Sequence, residues 1–196
     1  VILEAISENK GSILVFLPGE GEIIKLASSL TNKVPDNCHV FPLYGRLNFK
    51  DQQKALKPLS KGQKIVLATN VAETSLTIEG IETVIDSGLS KRSIYDPNSG
   101  MARLVTQKIS KAEANQRMGR AGRLHPGICY KLWSKAQDGS FSDFPPSEIE
   151  NSDLTPFALE LALWGSNINE LALLTRPKKK ALAEAYKVLE MLGAVN

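Results

Sequence analysis

The stretch at residues 110–123 (SKAEANQRMGRAGR) holds the densest group of side chains in the chain that could do chemistry. Ser110 and Glu113 have the spacing of a capping box, which predicts that a helix begins there. Three arginines and a glutamine follow within the segment. A guanidinium group is planar and permanently charged, and it can bond two phosphate oxygens at once. The segment therefore predicts a helix suited to contact with a phosphoryl group.

The order of residues within this segment sharpens the hypothesis. On a continuous helix Gln116, Arg120 and Arg123 fall at i, i+4 and i+7, which places them on one face. Gly119 and Gly122 would lie inside that helix, where each costs about 1 kcal/mol relative to alanine. Two destabilising glycines in a helix indicate that the backbone must come close to another group at these positions. The alternative interpretation is an ordinary solvated basic face.

Short apolar runs that alternate with amphipathic stretches must position these side chains. The pattern is typical of a parallel sheet with crossover helices. Predicted strands cover 12–17, 40–44, 64–69, 83–86 and 128–133, and predicted helices cover 20–30 and 49–56. Each buried strand ends in polar or small residues. Ligands of open α/β sheets bind at that carboxyl edge, so we expect the functional site there.

Two regions depart from the alternation. Residues 91–106 read as a hairpin around the turn formers 97–100. Beyond the turn-rich stretch 138–146, helices are predicted at 154–164 and 181–192, the second ended by a glycine. We expect one domain over 1–147 and the start of a second, truncated helical domain over 148–196.

Composition excludes several classes of protein. The chain has 196 residues, 42% of them hydrophobic, and a net charge of +3. No apolar run reaches the roughly 18 residues of a membrane helix, so no membrane association is expected. Cys38 and Cys129 are unclustered, which argues against a disulfide scaffold or a zinc site. A reducing, cytoplasmic location fits this cysteine usage.

Four motifs together resemble those of the superfamily 2 helicases, in the form that they take in the DEAH-box members. QRMGRAGR at 116–123 resembles motif VI, and LATNVAETSLTIEG at 67–80 resembles motif V. ILVFLPG at 13–19 is similar to motif IV, and LYGRL at 43–47 to the RNA-contacting motif that follows. The motifs occur in the family's order. The sequence around them is similar to that of bacterial HrpB-type ATP-dependent helicases. The resemblance implies a RecA-like parallel sheet flanked by helices, an inserted β-hairpin and a truncated winged-helix segment.

The resemblance also implies roles in ATP hydrolysis. The family's arginines that match Arg120 and Arg123 reach the γ-phosphate, and the glutamine that matches Gln116 lies beside the attacking water. Positioning and charge compensation of this kind carry most of the catalysis of phosphoryl transfer. Arg117 lies off the predicted face, and a structural salt bridge is an equal alternative for it. Glu73 is expected to brace the loop of motif V.

The nucleoside is expected to contact two further residues. Leu56 falls near the family's base-stacking phenylalanine, and Glu79 falls where many relatives have an aspartate that bonds the ribose. The longer glutamate leaves the ribose contact open. No glycine is followed by lysine and no Asp-Glu pair occurs, so the chain has neither a P-loop nor a DEAH box. ATP and Mg²⁺ are therefore expected to be bound mainly by an upstream RecA-like domain, with no metal ligand in this chain.

The resemblance places a third group of residues on the nucleic-acid backbone. These are Gly19, Gly45, Arg46, Thr69, Asn70 and Arg92. Hydroxyl, amide and main-chain N–H groups suit phosphate contacts that do not read sequence. Strand-end caps for Thr69 and Asn70, a solvated Arg46 and a stray edge hairpin remain alternative interpretations.

The sequence therefore predicts the C-terminal motor domain of an ATP-dependent helicase. Its expected partners are single-stranded RNA, with DNA as an alternative, and the upstream RecA-like domain of the same protein. The isolated chain should neither hydrolyse ATP nor bind it tightly, because it lacks the P-loop. Two other hypotheses are a non-catalytic nucleic-acid-binding module of this fold and a DNA translocase domain.

Overall fold

A five-stranded parallel sheet organises the computed structural model, which describes residues 1–74, 76–97, 99–122 and 126–195. The strands in chain order are β1 (Ser12–Phe16), β2 (Cys38–Leu43), β3 (Gln63–Ala68), β4 (Ile81–Asp86), β5 (Leu89–Asp96), β6 (Met101–Lys108) and β7 (Ile128–Lys131). The large sheet has the order β2-β3-β1-β4-β7, and each neighbouring pair is parallel. The predicted RecA-like α/β fold with an inserted hairpin is confirmed.

The sheet is buried on both faces, which explains why its strands read as continuous apolar runs. Every residue of β3 is buried. Side chains alternate between two core clusters, so Leu14, Val66 and Val84 pack on one face of the sheet. Ile13, Ile65 and Ile85 pack on the other face. Each such side chain contributes about 1.5–3 kcal/mol by leaving water.

Helices cover the sheet as the alternation predicts. The α-helices are α1 (Ile2–Glu8), α2 (Glu20–Leu30), α3 (Phe49–Leu56), α4 (Lys111–Met118), α5 (Lys135–Asp138), α6 (Thr155–Trp164) and α7 (Lys179–Met191). Two of them, α1 and α5, were not predicted from the sequence. Ala5 of α1 is fully buried in the second core cluster, so tertiary packing stabilises a helix too short to persist alone.

Strands β5 and β6 form a separate two-stranded sheet, as the turn formers predict. The Gly100 amide donates to the Asp96 carbonyl at 2.9 Å, and Gly100 has a φ of +64°. This left-handed backbone is readily accessible only to glycine. Asn98, within the predicted turn, lies outside the described residues. Of the described residues, no helix is long and apolar enough to cross a membrane.

The chain divides into two compact units, residues 1–91 with 106–145 and residues 92–105 with 146–196. In the second unit Leu154, Ala158, Ala185 and Leu189 form a small core between α6 and α7. Helix α6 begins where Asp153 accepts a hydrogen bond from the Thr155 amide at 2.9 Å. The division at 147/148 and the winged-helix assignment of 148–196 stay predictions.

Candidate functional site

The carboxyl edge of the sheet gathers five of the residues that the sequence singled out for contact with nucleic acid. Strands β2, β3 and β1 are adjacent and parallel, so the loops that follow them meet at one edge. Gly45 and Arg46 follow β2, Thr69 and Asn70 follow β3, and Gly19 follows β1. Main-chain hydrogen bonds continue the ladder into these loops, since the Thr69 amide donates to Leu43 at 3.2 Å. Topology therefore brings together residues that are far apart in sequence.

The loop after β2 presents its side chains to solvent. The Leu47 amide donates to the Tyr44 carbonyl at 3.0 Å, which closes a tight turn with Gly45 and Arg46 at its centre. Both central residues are exposed. A Cβ added to Gly45 would meet no atom within 4 Å. The turn thus offers an accessible main chain beside a cationic side chain, which is an arrangement suited to a phosphate backbone.

The loop after β3 is the start of motif V. Asn70 is exposed and begins a 3₁₀ turn, Asn70–Ala72, whose N-cap is Thr69. The Thr69 side chain makes no capping hydrogen bond there. Both the phosphate contact and the strand-end cap stay open interpretations of its hydroxyl. The phosphate contacts of Thr69 and Asn70 stay predictions.

Gly19 lies in a more covered position than its neighbours at this edge. It is buried at the N-cap of α2, beneath an ion pair in which the Lys91 ammonium lies 2.9 Å from the Glu22 carboxylate. A Cβ on Gly19 would approach the Lys91 ammonium to 2.6 Å. This pair lowers the pKa of Glu22, chiefly through the hydrogen bond from Lys91. Lys91, the first residue of the predicted hairpin, is thus paired with a carboxylate of α2.

Helix α4 begins as predicted and ends earlier than predicted. The Ser110 amide donates to the Glu113 carboxylate at 2.7 Å, and the Glu113 amide donates to the Ser110 hydroxyl at 3.2 Å, which completes the capping box. The helix stops at Met118, and Gly119 is its C-cap. The chain then tightens into turns in which Arg120 donates to the carbonyl three residues earlier at 3.1 Å.

The predicted face of Gln116, Arg120 and Arg123 on one continuous helix is therefore wrong. Gln116 is exposed on the last turn of α4, whereas Arg120 lies beyond the helix and is only 6% exposed. Arg123 lies outside the described residues, and its role stays a prediction. The physical reason for the early end is that contacts with motif V hold Arg120, and these contacts compete with the helix.

Arg120 is turned towards the loop of motif V. Its Nε donates to the Glu73 carbonyl at 2.8 Å and its Nη1 donates to the Leu76 carbonyl at 2.7 Å. Two carbonyls three residues apart thus accept hydrogen bonds from two nitrogens of the same rigid guanidinium group. The contact ties motif VI to the main chain of motif V at Glu73 and Leu76, and it could not be foreseen from helical spacing.

Arg117 forms the structural salt bridge that was one of its two predicted roles. It is completely buried, and its Nε and Nη1 donate to Glu73 Oε2 at 3.0 Å and to Asp86 Oδ1 at 2.9 Å. The Nη1 group also donates to the Leu89 carbonyl at 3.2 Å, and the guanidinium lies 4.9 Å from the centre of the Phe16 ring. The expected bracing role of Glu73 is confirmed by this contact. Asp86, at the end of β4, was missed because a strand-terminal carboxylate carries no local signal for such a role.

Burial dominates the electrostatics of this cluster. It raises the pKa values of Glu73 and Asp86, against the attraction of Arg117 that lowers both. The nearby carboxylate of Glu113 raises both pKa values further. One arginine thus holds a buried and a partly buried carboxylate, and the arrangement depends on Arg117 staying in place.

The glycines of motif VI are not the points of closest backbone approach. A Cβ on Gly122 would meet no atom within 4 Å, whereas a Cβ on Gly127 would collide with the Ala121 backbone. Gly127 therefore allows residues 121 and 127 to meet, and only glycine fits there without movement of the chain. Sequence reasoning missed this residue because it lies after the recognised motif.

The remaining predicted contacts are spread over three elements. Glu79 is exposed in the turn before β4, and Leu56, the last residue of α3, is half-buried against the first core cluster. Arg92 lies half-buried in β5, on the hairpin. These roles stay predictions.

The geometry is that of a known family. The model of the helicase conserved C-terminal domain matches residues 1–125, which include all four motifs. The chain belongs to this family. The match ends two residues after motif VI, so it includes the loops after β1, β2 and β3 described above.

Relatives of this family resemble the chain over nearly its whole length. It is 43% identical to the ATP-dependent RNA helicase HrpB of Escherichia coli K12 over 195 residues, 98% of this chain and 24% of that protein. It is 37% identical to the human ATP-dependent RNA helicase DHX33, over 94% of this chain and 27% of that protein. The crystal structure of E. coli DExH-box NTPase HrpB superposes with a TM-score of 0.94 at 41% identity, covering all of this chain and 24% of that one.

These comparisons confirm the assignment to the second domain of a DEAH/RHA-type helicase. The chain spans about a quarter of the length of the HrpB relative that it matches.

Proposed function

We propose that this chain is the C-terminal motor half of an ATP-dependent RNA helicase and that it supplies arginine fingers to ATP hydrolysis. Its carboxyl edge would also form half of the channel for single-stranded RNA. An upstream RecA-like domain of the same protein would carry the P-loop and the DEAH box. Family membership and the RNA helicase names of the relatives support this proposal.

One observation carries the proposal further than similarity alone. Arg120 of motif VI is hydrogen-bonded to the main chain of motif V at Glu73 and Leu76. Motif V also carries Thr69 and Asn70, the proposed strand contacts. A displacement of motif VI by nucleotide therefore has a direct physical route to the loop that would hold the RNA.

The donor groups of the described chain fit one side of a triphosphate. Gln116 presents an exposed amide, and six residues later the Gly122 backbone is open to an incoming group. Bound ATP with Mg²⁺ would supply the phosphoryl group whose transfer to water drives the motor. Gln116, Arg120 and Arg123 would orient that group and compensate its charge, with Leu56 and Glu79 towards the nucleoside.

The buried position of Arg120 favours Arg123 as the main arginine finger. Two nitrogens of Arg120 already donate to carbonyl oxygens, so its movement towards phosphate would cost those bonds. An arginine finger is typically worth about 10³–10⁵ in rate. We therefore expect Arg123 to make the larger contribution to catalysis.

Steady-state ATP hydrolysis by the full-length protein tests this proposal. Arg123→Ala should lower kcat by at least about a hundredfold, because it removes charge compensation in the transition state. KM for ATP should change by less than about threefold. Arg176→Ala is a matched control, since Arg176 lies in the second compact unit and bonds Asn169 at 3.1 Å.

The control should leave kcat within about twofold of the wild-type value. A fall in kcat of less than about threefold for Arg123→Ala would remove Arg123 from the catalytic role. An inactive wild-type protein, with or without RNA, would contradict the proposed function itself.

A further inference from the structure

Lys64 is a buried cation that none of the motifs explains. It lies on β3 and is only 1% exposed, although lysine is almost never fully buried without partners. Its ammonium group donates to the Ala55 carbonyl at 2.9 Å and to the Lys57 carbonyl. It also lies 5.4 Å from the centre of the Phe41 ring. The two carbonyl groups and the aromatic ring together stabilise the positive charge of Lys64.

The partners of Lys64 are the last carbonyls of α3. The carboxyl end of a helix carries partial negative charge and leaves carbonyl groups without helical partners. An ammonium group at this point satisfies two of those carbonyls and fixes where the helix ends. Leu56 is the residue between these two carbonyls. Its position is therefore tied to β3 of the central sheet through Lys64.

A second segment also acts on Lys64. Burial lowers the pKa of Lys64, and the carboxylate of Glu79 opposes this effect. Glu79 lies in the turn before β4, far from α3 in sequence. The cation is thus hydrogen-bonded to the end of α3, and the charge of Glu79 favours its protonated form. These segments carry Leu56 and Glu79, the two residues assigned to the base and the ribose.

We propose that Lys64 is a positioning residue for the nucleoside, which holds the base-contacting end of α3 in place through hydrogen bonds to the Ala55 and Lys57 carbonyls. The proposal rests on the proposed function, because it requires a nucleotide beside Leu56. Lys64 lies at the amino end of β3 and itself touches no nucleotide. It acts through the two carbonyls that it bonds.

Competition by ADP and by inorganic pyrophosphate separates this role from general stabilisation. Both compete with ATP for the site, and only ADP carries a base and a ribose. In the full-length protein Lys64→Met should raise the inhibition constant of ADP about tenfold, because the base-contacting end of α3 loses its support. The inhibition constant of pyrophosphate and kcat should stay within about twofold of wild type.

Two further variants complete the design. Lys50→Met is the matched control, since Lys50 is exposed on the first turn of α3, and it should change neither inhibition constant. Lys64→Arg, which keeps a cationic donor, should restore most of the affinity for ADP. If Lys64→Met does not fold, Lys64→Gln, which keeps one donor and no charge, decides by the same ratio of inhibition constants.

Equal increases for ADP and pyrophosphate, or an ADP constant within about twofold of wild type, would overturn the positioning role. A lower folded fraction would reduce apparent kcat without separating the two inhibitors. Failure of the wild-type protein to hydrolyse ATP would instead contradict the proposed function, so the two failures are distinguishable.

Discussion

Arg117 and Arg46 are the same residue type at the same edge of one sheet, and the structure gives them opposite environments. Arg117 is fully buried, with salt bridges to Glu73 and Asp86. Arg46 is exposed at the tip of a four-residue turn. Burial makes the first arginine part of the fold, whereas exposure leaves the second able to meet a ligand. The environment, and not the residue type, decides which arginine can act on a phosphate.

The comparison extends to the loops that the two residues belong to. Arg117 and Arg120 tie motif VI to motif V through Glu73, whose side chain and carbonyl each accept a bond. Arg46 lies in a turn that is closed by the bond from the Leu47 amide to the Tyr44 carbonyl. We therefore expect substitutions around Glu73 to affect stability first and substitutions around Arg46 to affect RNA binding alone.

The largest effect is expected from Arg117→Met. Removing the cation leaves the buried carboxylate of Asp86 and the partly buried carboxylate of Glu73 without it, and breaking a buried ion pair typically costs about 3–5 kcal/mol. Amide hydrogen exchange of β3 and β4 in the full-length protein measures the local free energy of opening. The matched variant Arg46→Met should change it by less than about 0.5 kcal/mol, as expected for an exposed site. Similar exchange in both variants would contradict the assignment of Arg117 to the core.

A smaller effect concerns pH. Burial raises the pKa values of Asp86 and Glu73 in the folded protein, so the unfolded chain releases these protons first. Their contribution to stability is therefore greatest at low pH and declines as pH rises from the ordinary carboxyl values through the raised ones. Asp86→Asn should make this decline shallower in thermal unfolding measured from about pH 4 to pH 7. A steeper decline in the variant would contradict the raised pKa of Asp86.

The smallest effect is expected from Arg46→Ala. One lost phosphate contact should weaken binding to every single-stranded RNA by a similar factor and reduce the log-affinity against log-salt slope by about 0.7. Fluorescence anisotropy with two unrelated oligonucleotides over a salt series measures both quantities. Hydrolysis of ATP without RNA should persist. An unchanged slope would show that Arg46 is only a solvated surface residue.

Much of the fold followed from local signals in the sequence. Continuous apolar runs indicated strands buried on both faces, the turn formers at 97–100 indicated the hairpin, and the spacing of Ser110 and Glu113 located the start of α4. Each signal is local because it reflects backbone preference or alternation along a few residues. Helix α1 was missed, although Ile2, Ala5 and Ile6 have helical spacing, because seven residues give a weak pattern.

The interior of the site could not be read in the same way. The end of α4 at Met118 depends on Arg120 reaching carbonyls more than forty residues earlier in the chain. The burial of Arg117 and of Lys64 likewise depends on partners from other elements. Motif resemblance located the segments correctly, but periodicity alone placed Gln116 and Arg120 on one face. Long-range side-chain contacts override helical spacing here.

The central claim is that the loop after β3 holds the RNA strand, whereas residues of motif VI act on the nucleotide. Stimulation of ATP hydrolysis by RNA tests this claim most directly. In the full-length protein Asn70→Ala should abolish most of the RNA stimulation while hydrolysis without RNA stays within about twofold of wild type. Gln116→Ala, measured alongside, should lower both rates together, because Gln116 belongs to the proposed nucleotide side. Loss of RNA-independent hydrolysis in Asn70→Ala, or full stimulation by RNA in that variant, would contradict the claim that the loop after β3 holds the strand.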